Sequence, residues 1–194
     1  MCPSSYRACW PDRADTVRSM IVPDDKDWTW VLARACPECG FDANTCAAEA
    51  VPDLVRANAR TWRRFLDDGV IRPGRPYPST WSPLEYACHV RDVYERYSDR
   101  IAIMLAEQDP LFANWDQDVS AAEGHYDTQD PSFVVAHLGT SAEALADRLG
   151  SLSAAEWPRP GRRSDGASFT VATISRYMIH DTIHHVWDIT NLAR

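Results

Sequence analysis

The residues best suited to chemistry in this sequence are histidines, three of which lie in the last predicted helix. His180 and His184 are four residues apart, so they share one helix face and can bind one divalent ion. His89, in the middle of another amphipathic segment, is the candidate for a third ligand. Three protein ligands leave an open coordination position, as in catalytic zinc sites. The neighbouring His185 is predicted to support the ligands or the structure. The alternative is that the spacing arises by chance and that these histidines are packed in the core.

Carboxylates flank the histidines at helical spacings. Glu85 lies four residues before His89, and Asp92 lies three residues after it. At these offsets a carboxylate can hold an imidazole N–H or move a proton beside the metal. We therefore predict Asp92 and Glu85 as catalytic residues. Arg176, one turn before His180, is the candidate for binding an anionic group of the substrate.

A second candidate site is the segment Cys-Pro-Glu-Cys-Gly-Phe-Asp, which begins at Cys36. A C-x-x-C pair is half of a zinc knuckle, and the sequence contains no second one. Cys46, Cys9 or a histidine could complete the ligand set, so Cys36 and Cys39 are candidates for a second, structural metal. Two alternatives remain open, namely a redox pair and a tight turn that packs two buried thiols against the helices.

Four amphipathic segments must position these residues, and there is little sign of β-structure beyond a short extended segment after Asp27. The long segment 109–130 is predicted to be a crossover between the second and third helices. We predict an all-α four-helix bundle with this long crossover and a short irregular N-terminal arm. The four helical segments span about residues 52–69, 83–107, 131–150 and 170–192.

Composition and charge narrow the functional classes. The chain has 194 residues, with 20 Lys and Arg against 28 Asp and Glu, which argues against nucleic acid as a partner. It has neither an apolar run of the roughly 20 residues that span a bilayer nor an apolar leader, so we expect no membrane partner and a cytoplasmic location. We predict a poorly ordered leader at residues 1–19, an arm with the CxxC turn at residues 20–50 and the bundle at residues 51–194.

The sequence Trp-Ser-Pro-x-Glu-Tyr-x-x-His-x-x-Asp at residues 81–92, followed by a late His-x-x-x-His helix, resembles the DinB-like superfamily. The resemblance covers about residues 51–193 and implies a four-helix-bundle metalloprotein. It implies one metal-binding histidine on the second helix and two on the last. Matched residue by residue, these are His89, His180 and His184. The metal implied is most often zinc, with nickel or iron in some branches.

Members of this superfamily include bacillithiol- or mycothiol-dependent S-transferases, the mycothiol-dependent maleylpyruvate isomerase and the iron-binding domain of ergothioneine-forming sulfoxide synthases. Their common chemistry is a metal that binds a small thiol as its thiolate. The resemblance thus implies a divalent-metal-dependent thiol transferase with a cosubstrate such as mycothiol, or a related isomerase or hydrolase, acting on a small molecule and forming a homodimer. The alternative is a non-catalytic metal- or ligand-binding stress protein.

Overall fold

The computed structural model describes residues 27–192, and its core consists of four long helices. These are α1 (Val51–Asp67), α2 (Pro83–Ala106), α4 (Pro131–Gly150) and α5 (Val171–Asn191), with a short α3 (Gln117–Glu123) in the crossover. Helices α4 and α5 each pack against both α1 and α2. The predicted four-helix bundle is therefore confirmed. The leader predicted at residues 1–19 lies outside the described residues.

Within residues 27–192, no helix combines the length and the apolar character that crossing a bilayer requires.

Reciprocal caps fix the beginnings of the two helices that carry the candidate ligands. At α2 the Ser82 hydroxyl accepts from the backbone N–H of Glu85 at 3.2 Å, and the Glu85 carboxylate accepts from the backbone N–H of Ser82 at 2.8 Å. Pro83 follows in the first turn, where its missing N–H costs nothing. Thr170 and Thr173 form the equivalent cap at α5. These caps satisfy N–H groups that the first turn leaves without an intrahelical partner.

A buried polar network sets the position of α5 against α1 and α2. Asn58 donates from Nδ2 to the backbone oxygen of Thr182 at 2.9 Å. Its Oδ1 accepts from Nε1 of Trp62 at 2.9 Å and from the Tyr94 hydroxyl at 2.7 Å. Buried polar groups that are fully hydrogen-bonded favour one arrangement of the core. Because Thr182 lies in the turn of α5 that carries the late histidines, the network also orients that turn.

A small three-stranded sheet connects two segments that the sequence predicted to be loops. Strand β1 (Leu111–Phe112) pairs in parallel with β2 (Pro160–Arg163), which pairs antiparallel with β3 (Ser168–Thr170). Strand β2 passes close to α2, because a Cβ at Gly161 would lie 2.7 Å from Cγ of Met104. Only glycine allows so close an approach. Strands this short show no alternation from which they could be predicted.

The N-terminal arm is turn-rich and 3-10 helical rather than extended. The residues Trp28–Leu32 form a 3-10 helix that packs on α5, where the sequence predicted a short strand or an extended arm. Asp27 caps this helix by accepting from the backbone N–H of Thr29 at 2.9 Å. A second 3-10 helix, Ala48–Ala50, leads into α1. The strand prediction was wrong because alternation over five residues is weak, and the Asp27 cap favours a helical turn.

Candidate metal centres and cavity

Helix α5 carries two pairs of potential metal ligands on adjacent faces. His180 and His184 form one pair four residues apart, and Asp181 and His185 form a second pair displaced by one residue. One residue corresponds to a rotation of roughly 100° about the helix axis. The first pair therefore faces the N-terminal arm, whereas the second faces α2.

The first pair belongs to a cysteine–histidine group, which consists of Cys36, Cys39, His180 and His184. The sulfur or nitrogen that each residue offers lies within 4.8 Å of those of the other three. Sγ of Cys36 is 3.6 Å from Nδ1 of His184. Nε2 of His180 is buried and has no hydrogen-bond partner among residues 27–192. Two sulfurs and two imidazole nitrogens are a donor set that suits tetrahedral zinc.

Burial controls protonation in the cysteine–histidine group. It raises the pKa of the Cys39 thiol to about 11 and lowers the pKa of His180 to about 4. Without a cation, Cys39 is therefore a protonated thiol at neutral pH, and His180 is a neutral imidazole. A thiol with a raised pKa is a poor nucleophile, which disfavours the redox alternative for this pair. A neutral imidazole is the form that binds metal.

The second pair belongs to a histidine–aspartate group, which consists of His89, Asp181 and His185. Nε2 of His89 is 3.3 Å from Oδ2 of Asp181, and Nε2 of His185 is 3.4 Å from Oδ1 of the same carboxylate. Nε2 of His185 lacks hydrogen-bond geometry to any group among the described residues. Its Nδ1 donates to the Asp188 carboxylate at 2.8 Å. Two imidazole nitrogens and one carboxylate thus converge, and Asp188 fixes the His185 ring from behind.

Charges in the histidine–aspartate group compensate one another. Burial opposes the protonated form of His185, but the carboxylates of Asp181 and Asp188 outweigh it and raise its pKa to about 10. Burial also opposes the charge of Asp181, yet His185 and His89 lower the pKa of this carboxyl well below its usual value. For His89, burial dominates and lowers the pKa. The group therefore offers one carboxylate, that of Asp181, to a cation, and without a cation the proton on His185 balances this charge.

Two tryptophans hold the His89 ring. Trp115, which the crossover supplies, stacks on it with ring centroids 5.1 Å apart and an interplanar angle of 9°. The Trp81 ring lies 5.2 Å away, centroid to centroid. The His89 side chain is 1% exposed, and its Nδ1 has no hydrogen-bond partner within the described residues. Aromatic packing, together with the contact between Nε2 and Asp181, therefore orients this ring.

Both groups border one cavity of about 1050 Å³. The cysteines do not line it, so they lie behind the wall that the first histidine pair forms. Asp181 does line it, and one third of its side chain (33%) is exposed there. The cavity therefore gives a small molecule access to the histidine–aspartate group. Of the two groups, the members that line the cavity are His89, His180, Asp181, His184 and His185.

Two arginines supply positive charge to the cavity wall. Arg100 is only 5% exposed; it donates to the backbone oxygen of Ala113 at 2.9 Å, and no carboxylate among the described residues pairs with it. Arg163 pairs with Asp165 at 2.8 Å and donates to the Tyr177 hydroxyl at 3.4 Å. Burial lowers the pKa of Arg100. A buried guanidinium without a counter-ion is suited to an anionic group of a ligand.

The structure uses the two predicted catalytic carboxylates elsewhere. Glu85 pairs with Arg75 at 2.6 Å and caps α2. Asp92 accepts from Nε of Arg91 at 2.7 Å and from the Tyr126 hydroxyl. Neither carboxylate lines the cavity. Both carboxylates lie within about one helical turn of His89 on α2, as the spacing predicts. The spacing could not show that each carboxylate is paired with an arginine.

The predicted substrate-binding residue also has another role. Nη1 of Arg176 donates to the backbone oxygen of Ala43 at 3.3 Å, and its Nε donates to that of Ala172 at 3.3 Å. Arg176 therefore ties the arm to α5, and it does not line the cavity. Of the two arginines on the cavity wall, Arg100 was not predicted to bind substrate, because only the fold brings it to this wall.

The three histidines predicted to share one ion are divided between the two groups. His180 and His184 lie with the cysteines, whereas His89 lies with Asp181 and His185. The rotation between neighbouring residues of α5 is the reason, since it turns the second pair, not the first, toward α2. The spacing of Asp181 and His185 was a signal in the sequence that could have revealed this group.

Comparisons with known proteins agree with this architecture. A family model described as the DinB superfamily matches residues 24–189, which includes part of the arm as well as the bundle. The structure of YfiT from Bacillus subtilis, described as a probable metal-dependent hydrolase with an unusual four-helix bundle topology, aligns with a TM-score of 0.65 and 19% identity. The alignment covers 79% of this chain and 86% of that chain. A search of curated proteins finds no significant match. This chain belongs to the DinB superfamily.

Proposed function

We propose that this protein is a divalent-metal-dependent enzyme that acts on an anionic small molecule in the cavity. His89, Asp181 and His185 would hold the metal. The observation that carries the proposal is the convergence of two Nε2 atoms on one carboxylate at the cavity wall, with separations of 3.3 and 3.4 Å. Catalytic metal sites commonly have three protein ligands of this kind and leave a further position for water or substrate.

The chain's own residues prepare this group for a cation. Asp188 accepts from Nδ1 of His185, which leaves Nε2 of that ring directed at the site. The rings of Trp81 and Trp115 pack against the His89 ring and restrict its rotation. When bound, a divalent cation would polarise a substrate oxygen and favour the deprotonated form of a coordinated water or thiol. The aromatic walls around His89 would limit the access of bulk water to the reacting groups.

The proposed substrate class rests on the two arginines of a cavity wall that also carries seven carboxylates. Arg100 is a buried cation without a carboxylate partner among the described residues, and Arg163 lies on the same wall. A carboxylate, phosphate or sulfonate of the substrate would pair with these guanidinium groups. That pairing would direct the uncharged, reactive part of the molecule toward the metal ligands. A neutral analogue of the same size would lose this orientation.

Water and a small thiol are both candidates for the nucleophile. The name of YfiT favours hydrolysis, whereas the S-transferases that the sequence resembles favour a thiol such as mycothiol. The cavity of about 1050 Å³ is at the upper end of typical ligand pockets, so it can accommodate a thiol cosubstrate together with an electrophile. We therefore propose thiol transfer as the first reaction to test and hydrolysis as the second.

The test compares His89→Ala with His137→Ala. His137 is on α4, pairs with Glu95 at the surface and does not line the cavity, so it is a matched control. We expect His89→Ala to lose one equivalent of bound metal and to reduce turnover at least about 1000-fold, because a ligand is removed. The control retains both. Bound metal is measured by mass spectrometry. Thiol transfer is assayed with electrophiles and mycothiol, and hydrolysis is assayed with anionic esters and amides.

Two results would contradict the proposal in different ways. Unchanged metal content in His89→Ala would exclude this site. Bound metal that depends on His89, together with no turnover of any compound, would favour the non-catalytic metal-binding alternative. Neutral analogues of each active compound test the substrate class, since we expect their KM to be higher than that of the anionic form.

A further inference from the structure

The cysteine–histidine group is not needed for the proposed reaction, yet it is more complete than the histidine–aspartate group. Four donors from two distant segments of the chain come within 4.8 Å of one another. Cys36 and His184 are 148 positions apart in the sequence. Ligands of one tetrahedral zinc ion, with bonds near 2.0–2.3 Å, lie roughly 3.3–3.8 Å from each other. The 3.6 Å between Sγ of Cys36 and Nδ1 of His184 falls in this range.

The backbone of the CxxC turn directs both sulfurs toward α5. The N–H of Gly40 donates to the oxygen of Cys36 at 3.0 Å, and the N–H of Cys36 donates to the oxygen of Phe41 at 2.9 Å. Gly40 has φ +75°, a backbone conformation that residues other than glycine rarely adopt. The turn is therefore closed by the glycine that follows Cys39. This arrangement holds two thiols on one side of a rigid loop.

The histidines on the opposite side are suited to the same ion. Nε2 of His180 is buried without a hydrogen-bond partner among residues 27–192, which a metal would explain. His184 directs Nδ1 at Cys36, while its Nε2 is 3.3 Å from the Glu38 carboxylate and 3.7 Å from that of Asp188. Carboxylates at the far nitrogen are the usual support of a metal-binding imidazole.

We propose that Cys36, Cys39, His180 and His184 bind a structural zinc ion that fastens the N-terminal arm to α5. Binding releases the two thiol protons to solvent, and two thiolates with two neutral imidazoles balance the charge of Zn²⁺. Four protein ligands leave no open position, so this ion holds structure and does not activate substrate.

The zinc also fixes one wall of the cavity. The arm contributes Trp28 and Glu38 to that wall, and the Trp28 ring packs 5.4 Å from that of His184, centroid to centroid. Without the ion, Arg176 and aromatic packing would remain to hold the arm against α5. The ion would therefore add to these contacts in holding this wall of the cavity in place.

The test uses the full chain purified with its metal. X-ray absorption at the zinc edge is measured on wild type and on His89→Ala, which removes the other proposed site. We expect His89→Ala to retain one zinc with two sulfur and two nitrogen neighbours. Cys36→Ser/Cys39→Ser loses that zinc, whereas Cys46→Ser retains it. Cys46 is a matched control because it lies in the same arm but outside the group.

The result does not depend on the folding of the double variant, since cobalt-substituted wild type provides a second readout. A thiolate-to-cobalt charge-transfer band in the near ultraviolet is expected. A zinc spectrum without sulfur neighbours, no such cobalt band, or a Cys36–Cys39 disulfide in the purified protein would overturn the proposal. If sulfur-ligated zinc is found but His89→Ala changes neither metal content nor turnover, the proposed function fails and the structural zinc stands.

Discussion

The two groups of metal ligands begin one residue apart on α5, yet they differ in donor atoms and in access to the cavity. The cysteine–histidine group has two sulfurs and two nitrogens, and its cysteines lie behind the cavity wall. The histidine–aspartate group has two nitrogens and a carboxylate, and Asp181 is partly exposed to the cavity. A rotation of about 100° therefore separates a closed donor set from an open one.

Asp188 is where the two groups meet. Its carboxylate accepts from Nδ1 of His185 at 2.8 Å and lies 3.7 Å from Nε2 of His184. One side chain thus supports a ring in each group. The two groups are therefore distinct in their ligands but not independent of each other.

The largest effect on metal affinity is expected from a substitution of Asp181. Asp181→Asn keeps the shape of the side chain but removes the charge that attracts the cation, so metal affinity at the histidine–aspartate group should fall at least about 100-fold. Asp181→His creates a site of three histidines and should restore binding. Competition titration with a chelating dye measures both. Equal affinity of the Asn variant and wild type would show that this carboxylate is not a ligand.

A smaller effect on metal affinity is expected from a substitution of Asp188. Asp188→Asn weakens the support of His185 through a 2.8 Å hydrogen bond, so metal affinity at the histidine–aspartate group should fall about 10- to 100-fold. The cysteine–histidine group, where the contact is 3.7 Å, should change less. Zinc and cobalt titrations resolve the two sites. Asp147→Asn on α4 serves as a control, and an identical loss at both sites would contradict the proposed asymmetry.

No effect on either metal is expected at Glu85, although its removal should cost stability. Burial opposes the Glu85 charge, but Arg75 and the Ser82 cap outweigh it and lower the pKa of this carboxyl. Glu85→Gln should reduce the free energy of unfolding by about 2 kcal/mol at pH 7, because a largely buried ion pair is broken. Urea unfolding measures this difference, and metal content should be unchanged.

The pH dependence of that difference follows from the lowered pKa. The contribution of Glu85 is fully present above its unfolded-state pKa, near 4.5, and is lost as the pH falls through the lower folded-state value. Wild type and Glu85→Gln should therefore become closer in stability below about pH 4. A difference that grows on acidification, or metal loss in the variant, would indicate that Glu85 belongs to the site after all.

The sequence was sufficient for the helices because their signals are local. The Ser82–Glu85 capping box and Pro83 within it mark the start of α2. The apolar period of 3.6 residues predicts how far the helix continues. The small sheet and the 3-10 helix Trp28–Leu32 could not be predicted, because such short elements depend on tertiary partners.

The site was only partly predictable for a related reason. Residue type and spacing identified His89, His180 and His184 as potential ligands, and the C-x-x-C pair as half of a metal site. They could not decide which face of α5 meets α2, since that depends on packing such as the hydrogen bond between Asn58 and Thr182. The rotation of α5 therefore decides which pair of ligands meets α2 and which meets the arm.

Crystals of the metal-loaded protein provide the most direct test, through anomalous diffraction at the absorption edge of the bound metal. We predict two separate peaks, one among Cys36, Cys39, His180 and His184, and the other among His89, Asp181 and His185. A single peak shared by His89, His180 and His184, with both cysteines unligated, would contradict this division of the site.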